Sequence, residues 1–219
     1  MKKIGLISDT HGLIRPELVQ TLQGCHAILH SGDINNQEIL DQLNEIAPVY
    51  VVRGNNDKEW AQHLPLYLDF SLFGLHIFMT HKKKDLPKQL EGYDLVLYGH
   101  SHKYNYKKEG TTYLINPGSC GPRRFNQEIT MALLTTDGSG DIDRIEKIVI
   151  PHPEVKNVTL KNVQSKDIEK VIGEIKKGKT VKQITAKSRM EEGLVDQICR
   201  MYLTHPGVDA DGIMTKLGF

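Results

Sequence analysis

Short apolar runs alternate with amphipathic ones over the first part of the chain. "KKIGLISD" is mostly apolar and ends at Asp9, the pattern of a buried strand. "RPELVQTLQG" has helical spacing, with Pro16 in the first turn and Gly24 at the close. "HAILHSGD" predicts a second strand ending at Asp33. "NQEILDQLNEIA" predicts a helix with Ile39, Leu40, Leu43 and Ile46 on one stripe, and "VYVVRGNND" a third strand breaking at Gly54. Alternation of this kind predicts an α/β sheet built partly from parallel strands and covered by helices.

After Lys58 the pattern changes to hairpins. "YLDFSLFGLHIFMTH" turns near Gly74 and ends at His81, "YNYKKEGTTYLINPGS" turns at Glu109-Gly110, and "ITMALLTTDGSGDIDRIEKIVI" turns through residues 137–140. Between the first two lies "LVLYGHSHKY", an apolar run that stops at Gly99 and carries His100 and His102. On an extended chain these two imidazoles project to the same side. The strands suffice for two sheets, hence a β-sandwich flanked by helices.

"PHPEVKN" (151–157) has the proline punctuation of a boundary, and the pattern beyond it is helical. Ile168, Val171, Ile172 and Ile175 form one stripe, "TVKQITAKS" a short second helix, and Leu194, Val195, Ile198, Cys199, Tyr202 and Leu203 a third stripe. "DADGIMTKLG" reads as a fourth helix. Two domains are expected: 1–154, α/β, and 158–219, small and all-α.

Composition sharpens this only in places. The 219 residues are 39% hydrophobic and 25% charged with a net charge of +1, an ordinary globular balance. From Val155 onward there are 12 Lys/Arg against 8 Asp/Glu, and 16 against 19 before it, so the halves carry about +4 and −3. No apolar run approaches the ~20 residues of a membrane span, and Asp9 interrupts the first apolar stretch too early for a signal peptide. Cys25, Cys120 and Cys199 are odd in number and scattered, which suits a reducing cytoplasm.

The candidate chemistry lies at strand ends. Asp9 and His11 follow the first strand, Asp33 the second, Asn55 the third, His81 the hairpin strand, and His100 and His102 the strand after it. Ligand sites of α/β sheets lie at the C-terminal ends of strands, where loops converge. Carboxylates, imidazoles and an amide oxygen without thiolate suit Mn²⁺, iron, Zn²⁺ or Ni²⁺ better than a structural zinc site. Seven such groups are too many for one ion and match two that share a carboxylate. A pair of that kind generates hydroxide at neutral pH and clamps a phosphoryl group for in-line displacement.

The blocks "DTH" (9–11), "GD" (32–33), "GNND" (54–57), His81 and "GHSH" (99–102) resemble those of the calcineurin-like metallophosphoesterases. With the short spacing and "NPGS" (116–119), they are most similar to the small prokaryotic phosphodiesterases of the YfcE type. The resemblance covers roughly residues 1–150 and implies a four-layer αββα sandwich with a two-metal centre. By that resemblance Asp9, His11, Asp33 and His102 hold one metal, and Asp33, Asn55, His81 and His100 the other. Mn is the first expectation for both ions, with Ni, Fe and Zn as alternatives. It also implies a catalytic set of Asp33, His11 and Asn56.

Two departures stand out. Asn36 replaces the second Asp of the frequent GDxxD block. Asn56 stands where many members have His, near the leaving group, and an amide supplies no proton at neutral pH. General-acid help is typically worth 10²–10⁴-fold, so activated or cyclic diesters should be better substrates than alkyl monoesters. Arg123 and Arg124 could reach a substrate phosphate.

Taken singly, each residue has a plainer reading. Asp9 could be a helix N-cap, Asp33 and Asn55 turn residues, Gly118 and Ser119 a tight turn, and His30 a packing residue or a support for the site. Only the ordered set points to metal. The expected function is a metal-dependent phosphodiesterase in the cytoplasm, the alternatives being a non-catalytic metal-binding scaffold of the same fold or a phosphoesterase carried to nucleic acid by 158–219. "TVKQITAKSRMEEGLVDQICRMYLTHPG" resembles a helix-turn-helix turning at Arg189-Met190, although Glu191 and Glu192 would repel DNA at the leading end of its second helix. No membrane partner is expected, and a homo-oligomer is.

Overall fold

The computed structural model of the chain describes residues 1–122, 127–151, 163–188, 190–204 and 207–217. The chain divides into two compact units, Met1–His152 and Pro153–Phe219. The boundary stretch 151–157 lies, apart from Pro151, outside the described residues.

The first unit is a sandwich of two five-stranded mixed sheets. In one sheet β1 (Lys2–Ile7), β2 (Ala27–His30) and β3 (Val49–Val51) run parallel. The antiparallel pair β9 (Thr130–Thr136) and β10 (Ile142–Val149) adds to β1, giving the order β10-β9-β1-β2-β3. In the other sheet β5 (Leu75–Thr80), β6 (Leu95–Leu97) and β8 (Thr112–Pro117) are parallel. Their neighbours β4 (Tyr67–Leu72) and β7 (Tyr104–Glu109) pair antiparallel at the edges, in the order β4-β5-β6-β8-β7. All three expected hairpins form.

Strand alternation builds the layers. Ile4 and Leu6 of β1 and Leu29 of β2 point between the sheets, where they meet Leu75, Ile77 and Met79 of β5 and Leu95 and Leu97 of β6. Ile7 and Ile28 face the other way, onto Leu18 and Leu22 of α1 (Pro16–Leu22) and Ile39, Leu40 and Leu43 of α2 (Gln37–Asn44). Asn36, the departure from GDxxD, caps α2: its side chain accepts a hydrogen bond from the Ile39 amide at 3.2 Å. On the outer face of the second sheet Phe78, Val96, Tyr98 and Leu114 pack under Leu86, Leu90 and Tyr93.

The second unit has four helices: α3 (Ser165–Lys176), α4 (Val181–Ser188), α5 (Glu192–Thr204) and α6 (Ala210–Leu217). Their stripes converge on Ile168, Val171, Ile184, Val195, Ile198 and Ile213. The carboxylate of Glu174 on α3 meets Lys177 and Lys187 at 2.9 Å each, tying α3 to α4. Arg189, in the expected turn between α4 and α5, lies outside the described residues. Among the described residues no helix is long and apolar enough to cross a membrane.

Candidate metal centre

The strands of the first unit deliver seven polar side chains to one edge. Asp9 and His11 follow β1, Asp33 follows β2, Asn55 follows β3, His81 follows β5, and His100 and His102 follow β6. Six of them form two groups, Asp9–His11–His102 and Asp33–His81–His100; within each, one donor atom per residue lies within 4.8 Å of the others. In the first group His102 Nε2 is 3.1 Å and His11 Nε2 3.8 Å from Asp9 Oδ1. The two imidazoles stack with centroids 5.0 Å apart and Nε2 atoms 3.2 Å apart. In the second group His81 Nε2 is 3.4 Å from Asp33 Oδ1. Asp33 also faces the first group, its Oδ2 being 3.8 Å from His11 Nε2. Asn55 is exposed at the mouth of a cleft that His81 also lines.

The same-side argument for His100 and His102 does not hold. β6 ends at Leu97, and both histidines have left-handed backbone, φ 70° and 58°. The turn between them sends one imidazole to each group. Asp9, His11 and Asp33 are left-handed too, at φ 55°, 46° and 59°. Such conformations cost L-residues on the order of 1–3 kcal/mol each and persist only where the surroundings impose them.

Those surroundings are visible. Asp9 caps no helix: its Oδ2 accepts the Ser8 hydroxyl and the His100 amide, the latter at 3.1 Å, while Oδ1 turns toward the imidazoles. Asp33 accepts the Asn56 amide at 2.8 Å on Oδ1 and the Asn56 side-chain amide at 2.7 Å on Oδ2. Asn56 therefore grips the carboxylate that stands between the groups. His81 Nδ1 lies 2.8 Å from the Ser31 carbonyl, which fixes its proton there and leaves Nε2 aimed at Asp33. His30 is fully buried. Its Nδ1 accepts the Gly32 amide at 3.1 Å, so Nε2 carries the proton toward Thr10 Oγ1 at 3.0 Å.

Two supports were not singled out from the sequence. Asp57 accepts four backbone amides, Asp33 at 2.9 Å, Ile34 and Asn35 at 2.7 Å and Gly54 at 2.8 Å, lacing the loop after β2 to the loop after β3. Its signal was the last letter of "GNND". Asn116 donates to the Gly99 carbonyl at 2.7 Å and to Ser101 Oγ at 3.1 Å, and accepts the Gly118 amide at 2.9 Å. Ser119 Oγ donates to the Asp9 carbonyl at 2.9 Å, so "NPGS" is more than a turn. Two motif glycines are required by close approach. A Cβ at Gly54 would strike Asp33, and one at Gly99 would strike Ser8 and Asp9.

The electrostatics fit a cation. Burial raises the pKa of Asp9 and of Asp33, but the nearness of His102 and Ser8 to Asp9, and of His81 and Asn56 to Asp33, outweighs it. Both carboxyls therefore sit below their ordinary value and are ionised at neutral pH. His81 is raised despite burial, by the Asp33 carboxylate beside it, and His100 is lowered by burial and by the charges of His81 and Lys82. Asp9 Oδ1, His81 Nε2 and His102 Nδ1 are buried without a hydrogen-bond partner. Orphaned polar atoms of this kind are costly, and cations beside Asp9 Oδ1 and His81 Nε2 would satisfy those two, whereas His102 turns Nε2 and not Nδ1 toward Asp9. Arg123 and Arg124 lie outside the described residues.

The sequence profile described as the calcineurin-like phosphoesterase superfamily domain matches residues 1–139, and the chain belongs to that family. Families of this kind use divalent metals, and the two groups here are candidate positions for them. A probable metallophosphoesterase of Methanothermobacter thermautotrophicus is 31% identical over 144 residues, 59% of this chain and 84% of that protein. Phosphodiesterase YfcE of Escherichia coli (strain K12) is 27% identical over 165 residues, 63% of this chain and 89% of that one. Among solved structures Vps29 of Chaetomium thermophilum superposes with a TM-score of 0.55 at 19% identity, over 69% of this chain and 98% of its own, a likeness of fold.

Proposed function

We propose that the chain is a metal-dependent phosphodiesterase with a dinuclear centre. Asp9, His11, Asp33 and His102 would hold one ion and Asp33, Asn55, His81 and His100 the other, with Mn²⁺ the first expectation among the ions these donors suit, Ni²⁺, iron and Zn²⁺ being the others. The observation that carries this reading is Asp33, whose two oxygens face His11 of one group and His81 of the other. Two bound divalent ions would supply Lewis acidity and a water of lowered pKa beside the phosphorus.

The chain's own residues hold the geometry. Asn56 orients both oxygens of Asp33, the Ser31 carbonyl sets the His81 tautomer, and Asp57 and Asn116 lock the loops that carry the donors. With an amide at position 56 no proton is delivered from there to the leaving oxygen. Diesters with good leaving groups are therefore the favoured class and alkyl monoesters the poor one. The reading is supported by relatives named as phosphodiesterases. Residues 158–219 make a separate helical domain added to this core, beyond the span that matches the family.

The test is hydrolysis of bis-p-nitrophenyl phosphate beside p-nitrophenyl phosphate by chelator-stripped protein given Mn²⁺, Ni²⁺, Zn²⁺ or Mg²⁺. Metal-dependent cleavage of the diester with little of the monoester is expected. Strong monoesterase activity would refute the role given to Asn56, and inactivity with every metal would make the protein a scaffold.

A further inference from the structure

We infer that the cleft beside His81 is a nucleotide subsite: it seats the planar base of the substrate's distal arm on Tyr67 and takes that arm's phosphate oxygens on neighbouring cations. This deepens the phosphodiesterase reading above and rests on it. The cleft, about 950 Å³, opens directly from Gly54, Asn55 and His81, so anything bound in it is continuous with the second carboxylate–imidazole group. That volume lies at the upper end of ordinary small-molecule sites.

Register places the aromatic. Tyr67 of β4 pairs with Thr80 of β5, and His81 is the next residue along. Tyr67 is 61% exposed, yet its ring is not loose. It stacks on the buried Phe78, centroids 5.7 Å apart and planes within 15°. The segment before it is fixed at two points: the Arg53 amide donates to the Pro65 carbonyl at 2.7 Å, and Thr80 Oγ1 donates to the Leu66 carbonyl at 3.2 Å. A held aromatic ring exposed in a cleft is a stacking platform. Base–aromatic stacking needs no sequence-specific donor, because every base has a π-face.

The charge in the same cleft selects the ligand. Arg53, Lys58 and Lys82 line it against Glu59, Asp85 and Asp57. The Asp57 carboxylate is taken up by four backbone amides, leaving three cations facing two available carboxylates. An aromatic platform flanked by cations one residue from a phosphoryl-handling site fits a nucleotide better than a lipid or a plain sugar phosphate.

Trp60 is the single tryptophan of the chain and lines this cleft, so its fluorescence reads occupancy without turnover. Chelator-stripped full-length protein is titrated with adenosine 5′-monophosphate, adenosine and ribose 5-phosphate. The monophosphate should quench saturably and bind at least tenfold tighter than ribose 5-phosphate. Tyr67→Ala should weaken it about tenfold, Tyr67→Phe should restore it, and Lys82→Ala should weaken the monophosphate but not adenosine. Equal binding of ribose 5-phosphate, or no change with Tyr67→Ala, overturns the subsite. The diester assay in Mn²⁺ separates the two claims. Quenching without hydrolysis leaves the subsite and removes the catalytic reading; hydrolysis with no Tyr67 effect on binding does the reverse.

Discussion

The two units treat buried polarity in opposite ways. In Met1–His152 the buried set includes Asp9, Thr10, His30, Asp33, Asp57, His81, His102 and Asn116, and five of the seven candidate metal donors have left-handed backbone. In the helical unit Glu174 is the single buried polar residue among those described, and the left-handed positions are Gly178 and Gly207. Apolar stripes account for the second unit. The first carries cost that packing alone does not require, and that cost is gathered where two carboxylate–imidazole groups meet. Strain and unpaired buried charge gather at the candidate site; the described residues of the helical unit show one buried carboxylate, Glu174, paired with two lysines, and left-handed backbone at glycines alone.

That contrast can be broken most forcefully at Asp33. Asp33→Asn should lower diester hydrolysis on the order of 10³-fold with any metal, since it weakens both halves of the centre at once. Retained activity would show that the two groups do not act together.

Next in size is Asp57→Ala, which should destabilise the first unit by at least about 3 kcal/mol, three buried amides losing their acceptor at roughly 1–3 kcal/mol each while the part-buried Asn35 amide turns to water. Urea unfolding reads the loss; a change under 1 kcal/mol would mean the loops after β2 and β3 hold without it.

Acid should separate the units as well. Burial pushes His30 down to about 4 from an ordinary 6.5, so the folded state resists a proton that the unfolded chain accepts. Its contribution is complete above about pH 6.5 and is lost as pH falls to about 4, about 3 kcal/mol in all. His30→Gln should flatten that part of the pH–stability curve in chelator; an unchanged slope would locate the proton uptake elsewhere.

A smaller effect belongs to Asn56→Ala, which releases Oδ2 of Asp33 and leaves the backbone bond to Oδ1 in place. Metal affinity by calorimetry should fall about 10-fold while urea stability stays nearly level. The mildest change is in the helices. Glu174, held down to about 2 by Lys187 and Lys177, strengthens α3–α4 above its unfolded value near 4.5 and ceases to as pH falls through 2. Hydrogen exchange in α3 and α4 should show that dependence in the natural chain and not in Glu174→Gln.

The residues most legible in the sequence were those whose chemistry is intrinsic. Asp9, His11, Asp33, His81, His100 and His102 could be singled out because a strand end in an α/β sheet is where loops converge, and the structure brings these six together. What could not be read was which group each would join. Period-two geometry put His100 and His102 on one side, but β6 stops at Leu97 and the left-handed turn parts them. Asn56 looked like a missing proton donor, and its contact with Asp33 at 2.7 Å shows what it grips instead. Asp57 and Asn116 stood in "GNND" and "NPGS" with no role of their own because their partners, backbone amides and carbonyls, have no signature in a side-chain alphabet.

Local pattern therefore determined the strands, the helices, the change of character past residue 150 and the identity of the polar donors, since each follows from the spacing or chemistry of residues near one another in the chain. Tertiary structure alone decided the rest. The pairing order β10-β9-β1-β2-β3 beside β4-β5-β6-β8-β7 brings residues 9, 33, 81 and 102 within reach of one another, and Tyr67 lines the cleft beside His81 because β4 pairs with the strand that ends one residue before it. Distances between groups far apart in sequence are set by strand register and backbone dihedrals, and those are settled only when the whole sandwich packs.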